Sequence, residues 1–377
     1  MASLLVVLTL VCAPQTSAQA PSPDKAMALE REGKLSEAEK EWRAWLVAHP
    51  NDAAAFASLG VVLSHEEKYK EAVAAYRKAL ALNPKLPGVE INLGLAEFKR
   101  GEFKDAIEPL KAVLETDPKN VQVTALLGLS YYGASDFPEA IKYLRQASES
   151  DPDNGELHRV LAQSCMTVKN YDCALKEFTA ILRQNPNSAA AHMLTGEALD
   201  GMGKTPEAIA EFEAAAKADP KALDVHFGLG FLHWKLRQYD EAASAFEAEL
   251  ALTPDNAQAM AYLGDIELKR ENTEISLQLL TEAVRLRKDL RIAYFDLGVI
   301  YTGQKKYPEA LEALRLAEKL DPERPDVHYR LGRLYQSMGN SAESQKEFAR
   351  VKGLHEKAEE DVAKKMSGAG PARAPKM

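Results

Sequence analysis

The chain has 377 residues, 46% of them hydrophobic and only 7% aromatic, with a net charge of −9. That apolar fraction excludes global disorder, and the Ala-rich, aromatic-poor balance favours closely packed helices over a β-sandwich. The acidic balance argues against nucleic acid as a partner, and three Cys are too few for a disulfide-built miniprotein or a Cys-rich zinc domain.

The first predicted element is an address rather than part of a fold. Leu4 to Ala13 is almost purely apolar and about ten residues long, short of the roughly 20 needed to span a bilayer. Small residues follow at Thr16, Ser17, Ala18 and Ala20, so residues 1–20 read as a signal peptide, with cleavage after Ala18 preferred to Ala20 because Pro21 follows the second site. No Lys or Arg precedes the apolar run, and Val11 stands before Cys12 where a lipobox needs a small residue. Export to the periplasm or the outside is the expected localisation, without a lipid anchor. No later segment is apolar enough to cross a membrane.

A 34-residue period fills the remainder. Gly60, Gly94, Gly128, Gly196, Gly230, Gly264, Gly298 and Gly332 fall on one grid line, with Ala162 filling the remaining, fourth place. Twelve residues on come Ala72, Ala106, Ala140, Ala174, Ala208, Ala242 and Ala310, with Ser276 and Ser344 as small substitutes. Twenty-four residues on come Pro84, Pro118, Pro152, Pro186, Pro220, Pro254 and Pro322. Apolar residues recur at 3–4 spacing on both sides of a short polar turn, so each unit predicts two helices. Small residues at the first two rows let the helix backbones approach, and Pro ends the second helix.

Leu297-Gly298, Tyr301, Ala310, Leu314, Ala317 and Pro322 show this pattern in full. It resembles the tetratricopeptide repeat family. The resemblance implies an all-α fold, a right-handed α-solenoid of stacked helix-turn-helix units. Nine units occupy 53–86, 87–120, 121–154, 155–188, 189–222, 223–256, 257–290, 291–324 and 325–358. A partial unit at 21–52 precedes them, and a polar capping helix and disordered tail occupy 359–377.

Several motifs suggest chemistry, and each has a duller reading. Ala198 to Thr205 loosely matches a phosphate-binding loop, but it lies at a turn between paired helices, where a preceding strand is required. His158, His192, His226 and His328 share one repeat position that Phe56 and Tyr294 fill elsewhere, so they read as packing residues rather than metal ligands. Neither a metal, a cofactor nor a catalytic site is expected. Cys165 and Cys173 flank one turn. A similar separation bridges paired helices in Sel1-like relatives of the family, so in an exported chain the pair is expected as a disulfide, and in a reducing compartment as two buried thiols.

In the resembled family ligands lie along the first helices. The exposed positions there include Asp224, Phe227, Phe231 and Trp234, flanked by Met193 and Glu197 on one side and Tyr262, Asp265 and Phe295 on the other. This aromatic stripe with acidic edges suits a peptide or protein segment with apolar anchors and basic groups. The expected function is a non-catalytic interaction scaffold of the cell envelope. A self-assembling structural envelope protein is the alternative, and nucleotide binding at the 198–205 turn a remote third.

Overall fold

A computed structural model describes residues 20–366. Among these residues the chain is entirely helical and divides after Gln184 into two compact units. The signal-peptide reading, Cys12 and the tail from Ser367 onward lie outside the described residues, apart from Ala20 at the leader's far edge.

In the first unit the helices are α1 (Pro23–Arg31), α2 (Leu35–Ala48), α3 (Ala53–His65), α4 (Tyr69–Leu82), α5 (Val89–Lys99), α6 (Phe103–Thr116), α7 (Val121–Gly133), α8 (Phe137–Ser150), α9 (Gly155–Thr167) and α10 (Tyr171–Gln184). In the second they are α11 (Ala189–Gly201), α12 (Thr205–Ala218), α13 (Val225–Lys235), α14 (Tyr239–Leu252), α15 (Ala257–Lys269), α16 (Thr273–Leu286), α17 (Arg291–Gly303), α18 (Tyr307–Leu320), α19 (Pro325–Ser337) and α20 (Ser341–Met366). Each odd-numbered helix pairs with the next, and successive pairs stack within each unit. The final helix runs without a break through the segment read as a separate cap.

The second helices keep the 34-residue spacing from α2 to α20 without deviation. The first helices do not. Six are capped by a side chain that accepts from the backbone N–H three residues on: Ser22, Asp52, Asn120, Asn154, Ser188 and Asn256. Leu86, Ala222, Leu290 and Arg324 occupy the equivalent places in the other repeats and make no such bond. After Leu86 and Ala222, α5 and α13 start two residues late, behind a left-handed residue, Gly88 (φ 76°) or Asp224 (φ 63°), whereas α17 and α19 start on the period.

The glycine row has a direct physical cause. A β-carbon on Gly230 would lie 2.7 Å from the Phe246 ring, and one on Gly60 would lie 2.5 Å from the Tyr76 ring. Sixteen residues after each grid glycine a large side chain presses on the helix backbone, and a side chain on that glycine would displace it. The core is thus a series of local clusters rather than one centre.

Candidate functional site

The first-helix face of the second unit carries the aromatic stripe expected from the sequence. On α13, Gly228 has no side chain, and a β-carbon there would meet the Phe212 ring of α12 at 2.2 Å. The ring fills the space beside the bare backbone, and next to it lies a cavity of about 250 Å³. Its apolar lining is Met193, Phe212, Phe227, Phe231 and Leu232, and Glu197, Asp200 and Asp224 supply carboxylates. Five residues expected from sequence therefore surround one space: Met193, Glu197, Asp224, Phe227 and Phe231. Phe212 joins them through its contact with Gly228 of the next repeat, which periodicity within one repeat does not reveal.

The three carboxylates differ in their surroundings. Asp200 accepts from Lys235 Nζ at 2.5 Å and from Thr205 Oγ1 at 3.1 Å. Glu197 and Asp224 have no side-chain hydrogen bond or ion pair among the described residues. Burial, then the negative charge of Asp224, raises the Glu197 carboxyl above its ordinary range.

The rest of the aromatic stripe is an interlocked wedge. Tyr262 stacks on Phe246 at 5.6 Å and meets the edge of Trp234 at 4.9 Å, with Phe227 and Phe231 each packed against it. Trp234 Nε1 donates to Asp265 Oδ2 at 2.6 Å. Asp265 is 5% exposed and also paired with Lys269, so it is not an open acidic edge. Phe295 lies apart, with the Arg291 guanidinium 5.7 Å over its ring.

Beneath this face sits a carboxyl that sequence reading passed over. Asp296 is 3% exposed, and its Oδ2 has no hydrogen-bond partner. Burial first, and then the neighbouring Asp265 carboxylate, push it well above the ordinary carboxylate range. The available signal was an acidic residue inside the otherwise apolar run Ile292-Ala-Tyr-Phe-Asp-Leu-Gly-Val-Ile300.

The histidine row acts as a set of polar clips rather than simple packing. His158 bridges Glu177 (Nδ1, 2.6 Å) and the Pro152 carbonyl (Nε2, 3.0 Å), and His192 bridges Glu211 and Pro186 in the same way. His328 joins Glu347 at 2.7 Å and the Pro322 carbonyl at 2.9 Å. His226 keeps only the Pro220 contact, because Ala245 stands where a Glu would be. Glu318, His328 and Glu347 come close enough to suggest metal ligation. Arg315 pairs with both carboxylates, at 2.5 and 3.0 Å, and Arg350 with Glu318 at 2.5 Å, so the cluster is a charge-matched network. Burial opposes ionisation of Glu318, but hydrogen bonds from the arginines hold its carboxyl below the usual range.

Cys165 on α9 and Cys173 on α10 have Cα atoms 5.8 Å apart and are joined as a disulfide. The phosphate-loop-like turn follows helix α11, not a strand, and its Thr205 hydroxyl is engaged by Asp200. Among the described residues no helix is long and apolar enough to cross a membrane.

Stacked helix pairs with a first-helix groove, held by close Gly contacts, define a helical-repeat scaffold of the class that binds peptides and proteins. The chain belongs to the tetratricopeptide repeat family. Residues 41–156 match the family described as "Cytochrome c-type biogenesis protein H TPR domain". Tetratricopeptide repeat families match residues 131–198, 197–257, 227–289, 300–339 and 325–360. No curated protein matches the sequence. Among solved structures, the C-terminal part of a TPR repeat-containing protein from Cytophaga hutchinsonii is 19% identical with a TM-score of 0.51, covering 64% of this chain and 98% of that one. The Cut9–Hcn1 structure of the APC/C is 14% identical with a TM-score of 0.51, covering 87% and 79%. These likenesses establish the fold.

Proposed function

We propose that the protein is a non-catalytic scaffold of the cell envelope that binds a segment of a protein partner along the face formed by α11, α13 and α15. The observation that carries this reading is the cavity beside Gly228, lined by aromatic rings and by two carboxylates without a hydrogen-bond or ion-pair partner among the described residues. Exposed apolar surface with a polar rim is the usual mark of an interaction site. Three features support the envelope: the apolar Leu4–Ala13 segment, the Cys165–Cys173 disulfide, and the match to a cytochrome c-type biogenesis TPR family at residues 41–156.

Site-directed photo-crosslinking tests the groove. A photoreactive residue in place of Met193 is expected to give a discrete adduct in envelope extract, and the same residue in place of Ser244, exposed on α14, is not. Equal labelling from both positions, or none from Met193, refutes the groove assignment.

A further inference from the structure

The cavity at Gly228 is lined unlike a small-molecule site. Its volume of about 250 Å³ lies below the roughly 300–1,000 Å³ typical of ligand pockets, and suits a single side chain. Four apolar side chains beside the bare glycine would cover a flexible aliphatic stem: Met193, Phe212, Phe227 and Phe231. Two carboxylates at its edge, Glu197 and Asp224, have no cation partner among the described residues, and the Asp224 charge disfavours ionisation of Glu197.

Asp224 has a φ of 63°, in the left-handed region, where the equivalent residue of an earlier repeat is Gly88. Asp adopts that conformation more readily than most side-chain-bearing residues, so it serves the same backbone turn while placing a carboxylate at this edge.

The same wall already accommodates an ammonium ion. Lys235 Nζ sits 2.5 Å from Asp200 and 5.9 Å over the Phe231 ring, so an aromatic face and a carboxylate together receive a primary amine. That contact uses Asp200 and leaves Glu197 and Asp224 for a second cation.

We propose that this cavity takes one lysine side chain of the partner segment, its methylenes against Met193, Phe227 and Phe231 and its ammonium between Glu197 and Asp224. The proposal rests on the groove reading and names the chemistry that groove selects. The net charge of −9 adds a favourable field for a basic segment.

The test uses n-hexylammonium as a lysine-like probe, with n-hexanol as its neutral counterpart and n-butylguanidinium as the arginine-like one. The full chain, labelled at its methionine methyls, is titrated with each while the Met193 signal is followed by NMR. Hexylammonium is expected to bind about tenfold more tightly than hexanol. In the Glu197→Gln/Asp224→Gly double variant, which keeps a residue suited to the left-handed backbone, that preference disappears while hexanol binding is unchanged. Equal affinity for hexylammonium and hexanol, no response of Met193 to hexylammonium, or an undiminished preference in the double variant overturns the lysine assignment. Tighter binding of butylguanidinium than hexylammonium also overturns it, in favour of arginine. The Met193 crosslink is read separately, so the lysine assignment can fail while the groove stands, and a missing crosslink marks failure of the groove itself.

Discussion

Asp296 gives the sharpest prediction from the structure. Its carboxyl is nearly fully buried, one oxygen lacks a partner, and burial plus the Asp265 charge raise it well above the ordinary carboxylate range. The folded state therefore holds a proton on Asp296 at pH values where the unfolded chain has released it. Stability is undiminished below the unfolded value, about pH 4, and falls as pH rises toward the raised folded value. The limiting slope is about 1.4 kcal/mol per pH unit. Asp296→Asn replaces the protonated carboxyl with an amide that still donates, and it has no charge to lose. The variant should match wild type near pH 4, then become progressively more stable, by up to about tenfold in local opening constant per pH unit. Long repeat arrays need not unfold in one step, so the measurement is native-state hydrogen exchange over residues 257–303, taken as the variant-to-wild-type ratio at each pH. A ratio that stays constant from pH 4 to pH 8, or a variant less stable throughout, would refute the assignment of a raised, costly carboxyl at this position.

Three further predictions follow from the packing. Cys165→Ala/Cys173→Ala should lower stability by about 2.5 kcal/mol, the loop-closure value for the 8-residue separation of the pair; melting curves that do not change when the wild type is reduced would contradict it. Gly230→Ala should lower the melting temperature, because its β-carbon meets the Phe246 ring at 2.7 Å and overpacking costs about 1–3 kcal/mol, whereas Gly303→Ala, with nothing within 4 Å, should raise it, since helix propensity favours Ala by up to about 1 kcal/mol. The same sign for both would show that close approach does not explain the glycine row. His328→Phe should cost about 1–3 kcal/mol by stripping partners from Glu347 and the Pro322 carbonyl, and His226→Phe, which loses only the Pro220 contact, should cost less in a urea titration; equal losses would return the histidines to simple packing.

The sequence by itself determined the repeat. Small residues at a 34-residue interval, with a bulky residue sixteen positions later, specify helix pairs that can close only on one another, and the second helices begin on that period from Leu35 to Ser341. It also placed Met193, Glu197, Asp224, Phe227 and Phe231 on one face, because spacings of three and four within a helix and 34 between helices are periodic properties. Tertiary structure alone decided which of those side chains are open. Trp234, Tyr262 and Asp265 carry the same periodic signal as Phe231 and Glu197, yet the first three lock two repeats together while the others border a cavity. The difference arises from residues in different repeats: Phe212 against the missing side chain of Gly228, Trp234 against Asp265, and Asp265 against Asp296. Helical periodicity assigns a residue to a face, but the neighbouring repeat's side chain decides whether that residue meets solvent, a partner or the core.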